Sequence, residues 1–322
     1  MRPYRLLLGA LALSVACLAQ AQVAPGKTSL IIVPYAAGGG YDRIARLVAP
    51  RLAELMNQSF VVENRGGAGG TLAMASVAKS PADGSVLVVA GPGDIAIAPA
   101  LYGKRIRYNT ATDFEPIIVI ARFALALSVN PSLGVNDVGG LLQLAKSRST
   151  PLSAAISSVG STGHLAAEMF RSMTGITITN VPYKGTGPAL TDLSGGHVDM
   201  MFTEPGSVMP FYQSGRVKIL AVTTAQRAQL LPGVPTLAES GFPGYQAGGW
   251  WGLFAPAGTP VSTIDPIRNH VAEIIKEPPF IAAVEKLSAE TSGLTGEAMR
   301  RQIAEDIERF GRAVKDSGIK LE

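Results

Sequence analysis

The stretch SLIIVPYAAGGGYD, residues 29–42, decides the architecture. Ser29–Tyr35 is a nearly continuous apolar run, the pattern of a strand buried on both faces of a parallel sheet. Gly38, Gly39 and Gly40 follow at once. From Tyr41 to Met56 the apolar residues return at helical spacing, with Ile44, Leu47, Val48, Leu52 and Leu55 on one face. Pro50 lies inside this helix and is expected to kink or break it. A strand, a glycine turn and a helix open a βαβ unit. Three glycines let backbone N–H groups converge on a small ligand with no side chain in the way. The helix start adds a partial positive charge, so Tyr35, Ala36, Gly38, Gly39, Gly40 and Asp42 form a candidate anion-binding loop.

Outward from this stretch the same alternation continues. Strand-like runs fall at Phe60–Glu63, Ser85–Ala90, Ile117–Val129, Ser153–Ser157, Ile176–Val181, Val198–Phe202, Val217–Thr223 and Trp250–Ala255. Helical patterns fall near Asp137–Ser147, Gly163–Met173, Pro188–Leu193 and Ser207–Tyr212. After Pro260 the chain reads as mostly helical to Gly318. The fold class is therefore α/β, with parallel sheets covered on both faces by helices. A second strand-to-helix loop, Ser157–His164, repeats the character of the first. It adds the hydroxyls of Ser157, Ser158, Ser161 and Thr162, and His164 stands at the helix start. Each loop alone is ordinary turn and cap chemistry. Two of them, in different halves of one chain, favour a ligand shared between them.

The composition narrows the function. The 322 residues are enough for two ordinary domains. With 47% hydrophobic and 16% charged residues the chain is not mainly disordered. The excess of 28 Lys+Arg over 24 Asp+Glu is small and dispersed, so a nucleic-acid partner is not expected. One cysteine excludes an intramolecular disulfide framework, and three scattered histidines (His164, His197, His270) have no metal-ligand spacing. No cofactor motif survives inspection either. Gly26-Lys27-Thr28 lacks the leading glycine of a phosphate loop, and Gly38-Gly39-Gly40 followed by Arg43 fails the dinucleotide fingerprint.

Residues 1–21 read as a secretory signal: Arg2 and Arg5, an apolar run from Leu6 to Leu18, then Ala19-Gln20-Ala21 as a small-x-small cleavage site. Cys17 is a less favoured lipid-attachment site, because Ser14 stands where Leu is usual. The mature chain is thus expected outside the cytoplasm. An exported serine hydrolase using Ser161 and His164 is the rival reading, although no G-x-S-x-G elbow surrounds Ser161.

Six ordered segments carry a resemblance: Tyr35–Gly39 with Asp42; Val62-Glu63-Asn64-Arg65 with Gly67–Gly70; Asp113–Ile117; Val181-Pro182-Tyr183-Lys184-Gly185; Ala189–Leu193; and Ala255–Pro260. In these the chain resembles the Bug (Bordetella uptake gene) family of periplasmic solute-binding proteins, related to the receptor component of tripartite tricarboxylate transporters. The resemblance spans essentially the whole mature chain. It implies a two-lobed, type II-like Venus-flytrap fold, with residues 24–123 plus 246–322 as lobe one and 124–245 as lobe two. It implies a small carboxylate-type ligand, held between loops 35–42 and 157–164, and a permease of the tripartite type as partner. A sensory partner is the alternative. Gly93, Asp94, Tyr183, Lys184, Thr203 and Glu204 join the expected site. Asp94 either caps the helix that follows it or repels a second carboxylate. Thr203 stands where relatives often carry an acid, and Glu204 is its substitute. Of Trp250 and Trp251, one is expected in the core and the other against the cleft.

Overall fold

The computed structural model describes residues 28–183, 185–224, 226–228 and 231–317. The segment read as a secretory signal, with Cys17, and Lys184 lie outside these residues. Two sheets form two lobes. The first has the strand order β11-β4-β10-β3-β1-β2 and the second β7-β6-β8-β5-β9. In the first, β1 (Thr28–Val33), β2 (Ser59–Asn64) and β3 (Val86–Ala90) are mutually parallel. β10 (Gly248–Pro256) runs antiparallel to β3 and to β4 (Phe114–Ala124), and β11 (Ala289–Leu294) antiparallel to β4. In the second, β6 (Leu152–Ile156) is parallel to β7 (Ile178–Pro182) and β8 (Met200–Thr203), whereas β5 (Ala126–Val129) is antiparallel to β8 and to β9 (Lys218–Val222). The sheets are mixed, which corrects the purely parallel expectation. β10 and β11 in the first sheet and β5 in the second run against the direction set by the βαβ units, whereas β4 runs with it.

The apolar run 117–129 is one stretch in sequence but two strands in space. The chain changes sheet at Leu125, between β4 and β5. Thr223 meets it there from the returning segment. Thr223 Oγ1 accepts from Leu125 N–H (2.8 Å) and donates to Leu125 O (3.1 Å), while Thr223 N–H donates to the same carbonyl (2.9 Å). Both residues are buried, so these bonds tie the two crossing segments together.

α1 (Gly40–Met56) is unbroken through Pro50, contrary to expectation. Pro50 is on the exposed side, and Ile44, Ala45, Val48, Ala49 and Leu52 pack into the core on the other. That burial, at roughly 1.5–3 kcal/mol for each large side chain, outweighs a proline cost of about 3 kcal/mol. The remaining helices are α2 (Thr71–Val77), α3 (Ala98–Tyr102), α4 (Val138–Ser147), α5 (Thr162–Thr174), α6 (Thr186–Gly195), α7 (Pro205–Gln213), α8 (Val261–Ile274), α9 (Pro278–Glu285) and α10 (Gly296–Ser317). β11 interrupts the predicted helical tail. Its sequence, AETSGL, is polar and mostly half-buried, so as an edge strand it leaves no apolar alternation to read.

In α10, Met299, Phe310 and Val314 are buried, whereas Ile307 is exposed. Phe310 and Val314 join Ala96 and Ile97 from one lobe and Leu165 from the other in one apolar cluster, so α10 packs across both lobes.

Candidate functional site: the interlobe cleft

The parallel strands of each sheet end at one edge, where ligands of open α/β sheets bind. In the first lobe β1, β2 and β3 deliver loops 34–39, 65–67 and 91–92 to that edge. In the second, β6, β7 and β8 deliver loop 157–161, Tyr183 and Glu204. The two edges face each other. A cavity of about 20 Å³ is lined by Gly38, Gly40 and Arg43 from one side and by Glu204 and Ser207 from the other. Farther along the seam, a Cβ on Gly160 would stand 2.7 Å from Leu101 Cδ2 of the opposite lobe. The structure thus brings loop 35–42 and Glu204 to one cavity between the lobes, while loop 157–164 meets the first lobe at Leu101 and Ile97.

Within the first loop, Asp42 is committed. Its Oδ2 accepts from Gly38 N–H (2.9 Å) and its Oδ1 from Arg46 Nε (2.9 Å). Burial raises its pKa, but the donors Gly38, Asn64 and Arg46 outweigh it and hold the carboxylate below the usual value. Arg46 Nη2 also donates to Asn64 Oδ1 (3.0 Å), and Asn64 Nδ2 to Tyr35 O (3.0 Å). Asp42 therefore fixes the loop from beneath; it does not present a free acid to the cleft. Gly39 is the N-cap of this 17-residue helix with no side chain capping it, and Gly40, its first residue, lines the cavity.

Tyr35 and Asp94 are likewise turned to each other. Tyr35 Oη donates to Asp94 Oδ1 (2.8 Å), and Gly91 N–H to Asp94 Oδ2 (3.2 Å). Asp94 is fully buried next to Gly93, and burial pushes its pKa up to about 7 against the pull of these donors. Its carboxylate does not cap the short helical turn at 93–97, whose N-cap position is Pro92. The Tyr35 and Tyr41 rings pack at 4.7 Å between centroids, and burial and Asp94 raise the pKa of both phenols.

Sequence reading overlooked loop 66–70 as part of the site. Gly67, Ala68, Gly69 and Gly70 all have positive φ. At Gly70 (φ +90) a Cβ would stand 2.6 Å from Asp94 Oδ1, so only glycine lets this loop close over the Tyr35–Asp94 pair. The signal was present: a glycine run directly after β2, as Gly38–Gly40 follows β1.

In the second loop Ser161 Oγ caps α5, accepting from His164 N–H (3.2 Å). The His164 ring looks elsewhere. Its Nδ1 accepts from Gly160 N–H (3.1 Å), and its Nε2 is 3.3 Å from Asn180 Nδ2. Burial lowers its pKa, with Glu168 pulling the other way. Asn180 Nδ2 in turn donates to Glu168 Oε1 (2.5 Å). No Ser161–His164 side-chain bond exists, so the nucleophile–base pair of the hydrolase reading is not assembled. Among the described residues the half-buried hydroxyls of Ser157, Ser158 and Thr162 have no protein partner and are the donors the loop offers. Tyr183 is at the neighbouring strand end, but its hydroxyl donates to Asp192 Oδ2 (2.6 Å), and burial together with this bond pushes its pKa up to about 12. Thr203 is buried, and its Oγ1 donates to Glu204 Oε2 (3.1 Å).

Both tryptophans are buried, with distinct surroundings. Trp250 Nε1 donates to Asp306 Oδ2 (2.7 Å), and Asp306 also accepts from Arg309. Trp251 stacks on Phe123 (centroids 4.4 Å apart) and reaches the cleft cavity beside Gly40.

Known proteins share this fold. Residues 44–319 match the family model described as the tripartite tricarboxylate transporter family receptor. Protein BugT of Bordetella pertussis is 32% identical over 308 residues, covering 95% of this chain and 94% of the relative. The structure of Rpa4515 from R. palustris with adipate is 39% identical, with a TM-score of 0.84 over 91% of this chain and 98% of that one. MatC from Rhodopseudomonas palustris with bound malate is 30% identical, with a TM-score of 0.80 over 90% of this chain and 100% of that one. By fold and likeness the chain belongs to the tripartite tricarboxylate transporter receptor family, and it is a two-lobed solute receptor, not an enzyme.

Proposed function

We propose that this protein is a periplasmic receptor that captures a small carboxylate between its lobes and hands it to a membrane permease of the tripartite type. The observation that supports the reading is that loop 35–42 and Glu204 border one cavity between the lobes, with loop 157–164 leaving β6, the strand next to β8, on the second lobe. The Gly39 and Gly40 N–H groups supply a dipole-backed cradle on one side. Ser157, Ser158 and Thr162 supply hydroxyls on the other. Tyr35, Asp42, Gly93, Asp94, Ser161, His164 and Tyr183 hold the loops in shape from behind, because their polar atoms or packing are already committed to protein. The acid-bound structures of Rpa4515 and MatC support a carboxylate as the class of ligand. Binding through fixed dipoles and hydroxyls suits a receptor, since release does not require breaking a buried ion pair.

A thermal-shift screen of mono-, di- and tricarboxylates, amino acids and neutral amides tests this. At ligand 100-fold above its dissociation constant the folded state gains about 2.7 kcal/mol. Some acid is expected to raise the melting midpoint, and Gly39→Val, whose added side chain meets open cleft space, is expected to abolish that rise while folding normally. A midpoint that responds to neutral amides and to no acid would overturn the carboxylate assignment. An unchanged response in Gly39→Val removes loop 35–42 from the site.

A further inference from the structure

Gly160 is where the second strand-to-helix loop meets the other lobe, and a histidine holds it there. A Cβ on Gly160 would stand 2.7 Å from Leu101 Cδ2 and 4.0 Å from Ile97 Cγ2, both in lobe one. Its φ of +78° lies in the left-handed region, so the loop turns sharply at this contact. Gly160 N–H donates to His164 Nδ1 (3.1 Å), and His164 is 4% exposed.

This bond fixes the protonation of the ring. A nitrogen that accepts from N–H carries no proton, so the single proton of the neutral imidazole is on Nε2. Nε2 faces Asn180 Nδ2 of β7 at 3.3 Å, which is also a donor. Gly160 N–H is therefore the partner that the ring holds well. A second proton enters at Nδ1, where it points at Gly160 N–H and sets donor against donor. The surroundings resist that proton. His164 lies in the first turn of α5, at the positive end of the helix dipole, and burial lowers its pKa below the ordinary 6.5. Glu168, one turn further on, pulls the other way, but its carboxylate is shared with Arg171 Nε (2.8 Å) and Asn180 Nδ2 (2.5 Å). The other elements packed on α5 bring little charge. α10 meets it through Leu165, Phe310 and Val314. Tyr245 donates to Ala166 O (2.6 Å) with a phenol that burial keeps protonated. Among the described residues Glu168 is the charged group that bears on the ring.

We propose that His164 is a pH-dependent positioning residue: the neutral ring holds Gly160 where lobe one meets it, and protonation frees loop 157–161 and weakens capture of the ligand. The effect on capture rests on the reading that this loop belongs to the ligand site. The latch itself is a property of the free protein.

NMR of the ligand-free, 15N-labelled mature chain from pH 8 to pH 5 tests the latch directly. The His164 ring is expected to titrate below 6.5. The Gly160 amide is expected to shift with the same midpoint and to lose about tenfold or more of its protection from hydrogen exchange. In His164→Asn, whose side-chain oxygen accepts but does not titrate, the Gly160 amide is expected to stay constant over the range. A ring still neutral at pH 5, or a Gly160 amide that ignores the His164 midpoint, overturns the inference. So does an amide that moves alike in both proteins. The first two results come from the unmodified protein and decide the matter even if the variant folds poorly. Calorimetry with malate and adipate at pH 7 and pH 5 then reads capture. The unmodified protein is expected to lose roughly tenfold in affinity beyond the change seen in His164→Asn. Comparison at equal pH cancels the ionisation of the acid and of Asp94. An equal pH dependence in the two proteins, with Gly160 still responding, removes loop 157–161 from the ligand site and the effect on capture with it. No heat from either acid at pH 7 counts against the carboxylate reading, while the Gly160 amide still decides the latch.

Discussion

Asp94 shows how a single residue shapes a site without touching its contents. The carboxyl group is fully buried between Tyr35 and the Gly91 N–H, and burial lifts its pKa from 3.8 to about 7. The folded protein therefore favours the neutral acid more than the unfolded chain does. Its contribution to stability is complete below about pH 4 and is lost as pH rises through about 7. Asp42, whose pKa is lowered, has the opposite sign: its contribution is present above its ordinary value and fades in acid. Asp94→Asn keeps the shape and removes the ionisation. Thermal unfolding followed from pH 4 to pH 8 at fixed ionic strength is expected to show the unmodified protein losing stability relative to Asp94→Asn as pH rises. Parallel curves would show that Asp94 titrates as it does in the unfolded chain.

At the scale of elements, the join between lobes depends on one threonine. Thr223 satisfies Leu125 N–H and O where the chain crosses between sheets. Thr223→Val keeps the volume and strands a buried amide. It is expected to cost about 1–3 kcal/mol in denaturant unfolding; a loss below about 0.5 kcal/mol would mean that the crossing segments are held by packing alone. Neither this join nor the mixed sheets could be read from the sequence. Residues 117–129 form one apolar run, and periodicity does not say that Leu125 leaves one sheet and Ala126 enters another. The βαβ half of each lobe was legible, because Ser29–Tyr35 and Gly38–Gly40 carry a strand, a turn and a helix start in fourteen residues. Of the site, the two facing loops were legible as glycine- and serine-rich strand ends. The commitments of Tyr35, Asp42, Asp94, His164 and Tyr183 to protein partners were not. They depend on Asn64, Gly91, Gly160 and Asp192, which come from other parts of the chain or from loop geometry. Loop 66–70 was readable and passed over. Trp251 became a cleft residue only when β10 placed it against Gly40.

For the whole molecule, function is a balance between closing forces. The lobes already touch at Gly160 with Leu101, and at Gly206, where a Cβ would stand 2.9 Å from the Leu287 backbone. The apolar cluster of Ala96, Ile97, Leu165, Phe310 and Val314 runs through the seam. A ligand shifts this equilibrium only through contacts that the closed form makes and the open form lacks. In the proposed reading these come from main-chain N–H groups on one lobe and hydroxyls on the other. The most direct measurement is a crystal structure of the acid-loaded protein. The account predicts a carboxylate within hydrogen-bond reach of Gly39 or Gly40 N–H on one lobe and of Ser157, Ser158 or Thr162 on the other. A ligand bound to one lobe alone, or away from both loops, would contradict it.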